Sequence, residues 1–389
     1  MSIKREIESA IIETAQKYPV LTITGPRQSG KTTLVKMLFP EHTYISLENP
    51  DIRDFALNDP RGFFNANQGA LILDEIQQAP LLLSYLQEIV DNTKNNAQFI
   101  LTGSQQFELM KGVTQSLAGR TALIKLLPFN FNEIQNYSQK KEPLDYYLLK
   151  GFYPRIWDHD LPPYKAYMDY FETYIQRDLR QLILIKELSL FRKFVRLCAG
   201  RIGQIFQANN LANEVGVSLH TINSWLSILE TSYIIFLLPP YYENLGKRLI
   251  KSPKLYFYDV GLAAYLLGIE DQIQLGRDRL RGALIENLVI MELIKKRFNQ
   301  LKDINLYFYR DQAQKEIDVL IKKADRLNLV EIKASSTFNQ EFCQTMAYLK
   351  QRLPDKIDNS YLIYTGDREF EINQVNVINY FSAALKIDL

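Results

Sequence analysis

Cysteine and histidine are both scarce in this sequence. Two cysteines, Cys198 and Cys343, stand far apart, and only three histidines occur among the 389 residues. So few thiols exclude a disulfide scaffold and fit a reducing compartment. So few imidazoles leave no basis for a zinc finger or a histidine-rich metal centre.

Long apolar runs and an excess of one charge are missing as well. The most apolar stretch, residues 233–238, ends at two prolines and falls far short of the ~20 residues that a membrane-spanning helix needs. The N-terminus is charged from its first residues, so we expect no signal peptide, no membrane partner and a cytoplasmic location. Because 46 Lys plus Arg face 44 Asp plus Glu, any site for a polyanion must be local.

The order of apolar and helical segments predicts an α/β protein of several domains. Five β-type runs alternate with helical stretches at residues 20–24, 42–47, 70–74, 98–102 and 121–126, which predicts a parallel sheet covered by helices. A helical connector follows, and then a helix, a glycine turn and a second helix with two β runs, which is the outline of a winged helix. An amphipathic helix at 282–297 and further strands predict a C-terminal α/β domain. The predicted domain ranges are 1–130, 131–204, 205–265 and 266–389.

A phosphate-binding loop lies between the first predicted strand and a predicted helix. Residues 25–32 fit the pattern G-x-x-x-x-G-K-[ST]. In this motif backbone N–H groups face the phosphates, Lys31 sits beside the β and γ oxygens, and Thr32 can bind magnesium. The sequence therefore predicts ATP and Mg²⁺ as ligands. The predicted nucleotide-binding residues are Gly25, Pro26, Arg27, Gln28, Ser29, Gly30, Lys31, Thr32 and Thr33.

Polar residues end two further strands of the predicted sheet. Asp74 is expected to hold the magnesium ion through water, and Glu75 to orient and activate the attacking water. The next strand ends at Ser104, which a sheet of order 5-1-4-3-2 would place beside the γ-phosphate. The alternative for Ser104 is an ordinary turn at the end of a strand.

These motifs resemble those of AAA-type ATPases, in which strand four carries a polar residue, usually Asn or Thr, that senses the γ-phosphate. The resemblance implies ATP hydrolysis in a homo-oligomeric ring, which we expect to be hexameric, with an arginine of one subunit completing its neighbour's site. Arg120 is our first choice for that arginine, with a surface salt bridge as the alternative. Other choices are Arg155, Arg177 and Arg180.

The winged-helix segment predicts contacts with DNA. Exposed polar residues near the start of its second helix suit phosphates or base edges, and the basic loop between its β runs, which extends to Lys254, suits phosphates. The alternative is a packing or oligomerisation module. The predicted DNA contacts are Ser218, His220, Asn223, Lys247, Arg248 and Lys251.

Acidic residues cluster in the C-terminal domain. Asp318 precedes a Glu-x-Lys strand formed by Glu331 and Lys333, and Glu286 on the long helix adds a third carboxylate. Hard oxygen ligands suit Mg²⁺ or Mn²⁺, and the lysine could position water for phosphodiester attack. The pattern is similar to that of restriction-endonuclease-like and Holliday-junction-resolvase-like nucleases. The alternative is a charge-paired strand edge.

The full order resembles a family of prokaryotic ATPases that join an AAA-type module to a C-terminal domain of unknown function with a nuclease-like fold. Our leading hypothesis is an oligomeric ATPase that translocates or remodels duplex or branched DNA, with a metal-dependent nuclease site as a second activity. The alternative hypothesis is a nucleotide-operated regulatory or defence switch whose nuclease-like domain is a binding platform.

Overall fold

The computed structural model describes residues 3–93, 95–104, 116–138, 140–174, 188–241 and 252–389. The chain divides into two compact units. The first comprises Met1–Phe129, Thr231–Tyr233 and Phe298–Lys302, and the second comprises Asn130–Glu230, Ile234–Arg297 and Asp303–Leu389. Within the described ranges, no helix is long and apolar enough to cross a membrane.

A five-stranded parallel sheet forms the centre of the first unit. Its strands are β1 (Val20–Thr24), β2 (Thr43–Ser46), β3 (Leu71–Asp74), β4 (Phe99–Gly103) and β5 (Thr121–Lys125). They lie in the order β2-β3-β4-β1-β5, and every neighbouring pair is parallel. This confirms the predicted sheet order. The carboxyl ends of β1, β3 and β4 therefore meet at one edge of the sheet.

Helices cover both faces of this sheet because its strands are apolar on both sides. All five residues of β1 are buried, with Val20 in one apolar core and Leu21 and Ile23 in another. The side chain of Asn49 accepts a hydrogen bond from the Asp51 backbone N at the start of one helix. The helices of the first unit are Glu8–Ala15, Lys31–Leu38, Pro50–Asn58, Pro60–Ala66 and Leu82–Thr93.

The second unit begins with helices. These are Phe131–Ser138, Leu144–Lys150, Pro154–Asp158, Pro163–Tyr174 and Leu188–Ala199. A helix-turn-helix follows, formed by Ala208–Val215 and Leu219–Thr231. Gly216 turns the chain with φ 88°, and the Ser218 hydroxyl caps the second helix by accepting a hydrogen bond from the Thr221 backbone N at 3.0 Å. An antiparallel hairpin of β6 (Ile235–Leu238) and β7 (Lys254–Phe257) completes this segment.

A six-stranded mixed sheet ends the chain. Its strands are β8 (Leu306–Arg310), β9 (Glu316–Lys323), β10 (Arg326–Lys333), β11 (Ile357–Tyr364), β12 (Phe370–Ile372) and β13 (Val375–Asn379), in the order β12-β13-β11-β10-β9-β8. The other helices of the second unit are Val260–Leu266, Gln272–Arg277, Arg281–Asn299, Gln344–Arg352 and Ala383–Lys386.

The helix Arg281–Asn299 differs from its prediction as an amphipathic helix. Its middle is buried on all sides, including the polar residues Asn287, Glu292 and Lys295. These polar groups are satisfied internally. Asn287, for example, exchanges hydrogen bonds of 2.7 and 3.0 Å with the backbone of Phe257. Buried amide and carboxylate side chains gave this central helix the polar periodicity of a surface helix.

Candidate functional site

The loop after β1 has the backbone geometry of a phosphate cradle. Gly25 and Gly30 adopt φ of 151° and 90°, which side-chain-bearing residues rarely adopt. A Cβ atom at Gly25 would lie 2.1 Å from the carbonyl oxygen of Leu126, so no other residue fits there. The loop then turns directly into the helix Lys31–Leu38, whose first N–H groups are available to an anion.

Lys31 lies buried beside this loop. Its Nζ donates hydrogen bonds to the carbonyl oxygens of Gly25 at 2.9 Å and Pro26 at 2.8 Å. Burial lowers the pKa of Lys31 to about 8, although the carboxylates of Glu75 and Asp74 oppose that shift. The ammonium is therefore poorly solvated and held over the loop, where a phosphate would compensate it.

The remaining loop residues differ in their exposure. Ser29 is buried, and its hydroxyl has no hydrogen-bond partner in the described part of the chain. Gln28 and Thr33 are exposed, and Arg27 is half-buried. A buried, unsatisfied hydroxyl inside an anion-binding loop is consistent with a ligand that completes the loop.

Asp74, at the end of β3, is surrounded by hydroxyl donors. Its carboxylate accepts hydrogen bonds from the Thr32 Oγ1 at 3.0 and 3.2 Å, from the Tyr44 Oη at 2.7 Å, and from the Thr102 Oγ1. Burial, followed by the contact with Asp74, raises the pKa of Tyr44. The structure thus joins the two predicted magnesium residues, Thr32 and Asp74. The contacts of Tyr44 and Thr102 with Asp74 were not predicted, although Thr102 lies only two residues before Ser104.

Glu75 is held in an unusual backbone conformation. Its φ is 56°, a left-handed value that costs energy for a residue with a side chain. Oε2 of its carboxylate accepts hydrogen bonds from the Ser104 hydroxyl at 3.1 Å and the Ser104 backbone N at 3.3 Å, and also from the Gln77 side-chain amide. Ser104 therefore contacts the predicted catalytic carboxylate, and Gln77 is a second partner that the sequence did not reveal.

Arg120 forms a surface ion pair. Its Nε and Nη2 donate to the two carboxylate oxygens of Asp91 at 2.6 and 2.8 Å. This is the arrangement that we considered as the alternative to a role in a neighbouring subunit. Arg155 is exposed, whereas Arg177 and Arg180 lie outside the described residues.

The predicted DNA contacts fall into two groups. Ser218, His220 and Asn223 are exposed on the first turns of the helix Leu219–Thr231. Ile222 and Trp225 on the same helix are buried, so the polar residues form its outer face. The loop residues Lys247, Arg248 and Lys251 lie outside the described residues.

Lys254 is not part of a basic surface, contrary to our prediction. It is 2% exposed in β7, and its ammonium lies among carboxylates of the C-terminal domain. The distances from its Nζ are 3.1 Å to Glu286 Oε1, 2.5 Å to Glu316 Oε1 and 4.0 Å to Asp318 Oδ1. Burial would lower the pKa of Lys254, but these three charges raise it.

The predicted C-terminal metal residues lie in this cluster. Burial and the charge of Asp318 raise the pKa of Glu286 to about 7 and that of Glu331 to about 8. Lys333 Nζ lies 2.5 Å from Glu331 Oε1, and Asp318 Oδ2 accepts a hydrogen bond from the Ile332 backbone N at 2.8 Å. Across the described ranges, no three His, Cys, Asp or Glu side chains are placed to hold a metal ion. With its side chains in these positions, the cluster does not fit a divalent ion.

Three family models match successive parts of the chain. An AAA domain matches residues 17–135. The chain therefore carries an AAA-type P-loop ATPase domain. A domain of unknown function (DUF8612) matches residues 141–273, and another (DUF4143) matches residues 281–382.

Two relatives match almost the whole length of this chain. An uncharacterized protein of Mycobacterium tuberculosis is 29% identical over 378 residues, which cover 96% of this chain and 82% of that protein. An uncharacterized protein of Methanocaldococcus jannaschii is 26% identical over 403 residues, which cover 95% and 86%. A solved structure, the Walker-type ATPase of Pyrococcus abyssi, gives a TM-score of 0.45 at 15% identity over 67% of this chain and 95% of that one. The AAA match and the order of the five-stranded sheet define the fold of this domain.

The residues of the AAA domain fit ATP and magnesium. The glycine-dependent loop and Lys31 suit the triphosphate, and the Thr32 hydroxyl beside the Asp74 carboxylate provides the hard oxygen donors that Mg²⁺ prefers. A bound Mg²⁺ would neutralise charge on the phosphoryl oxygens. Glu75 follows Asp74 directly and adds a second carboxylate beside this site.

Proposed function

We propose that the AAA domain binds ATP with Mg²⁺ and hydrolyses it. The observation that carries this proposal is the fixed position of Glu75. The backbone of Glu75 is strained, and Ser104 and Gln77 hold its carboxylate by hydrogen bonds. The hydrogen-bonded pair of Thr32 and Asp74 precedes it in the same site. A protein that only bound nucleotide would not need a carboxylate oriented in this way.

Each residue of the site has a separate role in this proposal. Lys31 leaves the loop carbonyl oxygens and places its charge on the β and γ oxygens. Thr32 and Asp74 would hold the magnesium ion, Asp74 through water. Glu75 orients the attacking water. Ser104 positions Glu75, and it also lies at the strand end that we predicted to face the γ-phosphate.

We propose further that the protein works as a homo-oligomeric ring. Arg120 is our choice for the arginine that one subunit offers to its neighbour's nucleotide. Its ion pair with Asp91 is half-exposed, so breaking it costs little compared with the gain from a phosphate partner.

DNA, duplex or branched, is the proposed substrate on which ATP hydrolysis acts. The exposed face of Ser218, His220 and Asn223 at the start of the second helix supports this, since such residues reach phosphates and base edges in helix-turn-helix proteins. Hydrolysis would then drive translocation or remodelling of the bound DNA. DNA cleavage is not part of the proposal, because Lys254 lies among the carboxylates that a nuclease would give to its metal ion.

That position of Lys254 favours a second candidate function. A nucleotide-operated switch, with the C-terminal domain as a binding platform, needs the same ATPase site but neither DNA contact nor cleavage. Its trigger would be a protein or another ligand.

ATP turnover with different nucleic acids separates the two functions. We expect duplex, single-stranded or four-way-junction DNA to stimulate phosphate release by the full chain, and added salt to weaken that stimulation. The double variant H220A/N223A should lose stimulation and keep basal turnover. Turnover indifferent to every DNA would contradict the DNA role and support the switch.

A further inference from the structure

The ammonium of Lys254 is the centre of a buried charge cluster. Glu286 comes from the helix Arg281–Asn299, whereas Glu316 and Asp318 come from β9. The side chain of Lys254 is 3% exposed, and those of Glu286 and Asp318 are 18% and 12% exposed. One cation thus joins the hairpin strand β7 to two elements of the C-terminal domain.

Further donors of the protein contact the same carboxylates. Tyr256, two residues after Lys254, donates its hydroxyl to Glu286 Oε1. Arg310 Nη1 lies 3.3 Å from Glu316 Oε2. Asp318 uses its second oxygen to accept the Ile332 backbone N–H. Glu286, Glu316 and Asp318 therefore each use at least one carboxylate oxygen to contact a donor of the protein itself.

We propose that Lys254 is an internal cation that takes the place of a divalent metal ion beside Glu286 and Asp318, two of the three carboxylates predicted to bind it. An ammonium and a metal ion cannot share these oxygens, because both need them at short range and repel each other. Displacing Lys254 would leave a buried ammonium without its partners, which is strongly unfavourable. The C-terminal domain therefore binds neither Mg²⁺ nor Mn²⁺ at this cluster.

One oxygen of the cluster would be free to bind a metal ion if Lys254 were removed and the neighbouring carboxylates closed on that ion. Glu331 Oε2 is buried and has no hydrogen-bond partner in the described part of the chain. Glu331 is 6% exposed, so water does not readily satisfy this atom. Without the Lys254 ammonium, Glu286 and Asp318 would lose the positive charge that compensates them, and a divalent ion or a proton would take over that role. This inference goes beyond ATP hydrolysis and does not depend on it.

The test is Mn²⁺ binding to the full chain without nucleotide, measured by titration calorimetry on wild type, D318N, K254M and K254M/D318N. We expect K254M to bind one Mn²⁺ more than wild type, at least about tenfold tighter than any wild-type binding. K254M/D318N should lose that extra ion. K295M is the matched control, because Lys295 is another buried lysine and forms an ion pair of 2.8 Å with Glu292, outside this cluster. K295M should gain no Mn²⁺ ion.

If K254M does not fold, wild type and D318N test the proposal. We expect Mn²⁺ binding and thermal unfolding in the presence of Mn²⁺ or a chelator to be the same for wild type and D318N, apart from a constant offset in stability. Wild-type Mn²⁺ binding that disappears in D318N would overturn the proposal. A folded K254M that gains no Mn²⁺ would overturn it as well.

Discussion

The hydroxyl oxygen of Ser104 lies 3.1 Å from Oε2 of Glu75, and the backbone N of the same serine lies 3.3 Å from that oxygen. Two donors from the end of β4 thus hold the acid that follows β3. The carboxylate is oriented by neighbouring strands of one rigid sheet, which is how a catalytic group is kept in a productive position.

Replacing Ser104 should lower the rate of hydrolysis more than it weakens binding. We expect S104A to reduce kcat about tenfold, equivalent to the loss of one hydrogen bond of ~1.4 kcal/mol, with KM for ATP little changed. S104T keeps the hydroxyl and should recover most of the rate. A steady-state assay of phosphate release measures both parameters. A rise in KM at constant kcat would show that Ser104 acts on binding instead.

The pKa of Lys31 predicts how ATP affinity depends on pH. Only the ammonium form attracts phosphate, and burial lowers its pKa to about 8 in the free protein. ATP affinity should therefore be constant below that pH and fall about tenfold per pH unit above it, until the higher pKa of the bound state is reached. Fluorescent-nucleotide titrations from neutral to alkaline pH measure this. K31R should remove the dependence, since arginine keeps its proton, and K31A should abolish binding.

A buried carboxylate near the helix Val260–Leu266 should be important for stability. Asp259 accepts hydrogen bonds from the Tyr167 hydroxyl at 2.6 Å and from the backbone N of Phe152 at 2.8 Å and Leu262 at 3.0 Å. D259A leaves these donors buried without an acceptor and should lower the free energy of unfolding by about 3 kcal/mol or more. D259N keeps an acceptor oxygen and should cost less. Urea denaturation compares the two, and equal losses would contradict this explanation.

The proposed role of Arg120 can be tested by mixing inactive subunits. R120A keeps its own nucleotide site, and K31A keeps its Arg120. We expect a mixture of R120A and K31A to release more phosphate than either variant alone, because K31A subunits supply the arginine to R120A sites. D91A breaks the same ion pair but keeps the arginine, so it should remain active. Full activity of R120A alone would leave Arg120 with only its surface ion pair.

The AAA sheet was predictable because its strands are continuous apolar runs and its motif residues stand at their ends. The β1 range was predicted without error, and the positions of Asp74 and Ser104 at one sheet edge followed from the strand order. The hydrogen bonds of Gln77 to Glu75 and of Tyr44 to Asp74 were not predictable, because they depend on how a loop and β2 approach the acids in the folded chain.

The C-terminal cluster shows the opposite case. Glu286, Asp318 and Glu331 interact electrostatically, but the lysine that lies beside Glu286 and Asp318 comes from a segment that we interpreted as a basic surface loop. Local sequence around Lys254 contains basic residues and no acids, so its acidic partners, 32 or more residues later in the chain, could not be inferred from it. The strands β12 and β13 were missed because they are short and interrupted by polar residues.

Glu75 is proposed to drive hydrolysis at the ATP-binding site, and single-turnover phosphate release by wild type and E75Q tests this role most directly. Glutamine keeps the shape of the side chain and loses its negative charge. We predict that E75Q binds ATP as tightly as wild type and releases phosphate at least about 10²-fold more slowly. Equal rates of phosphate release in the two proteins would contradict the account.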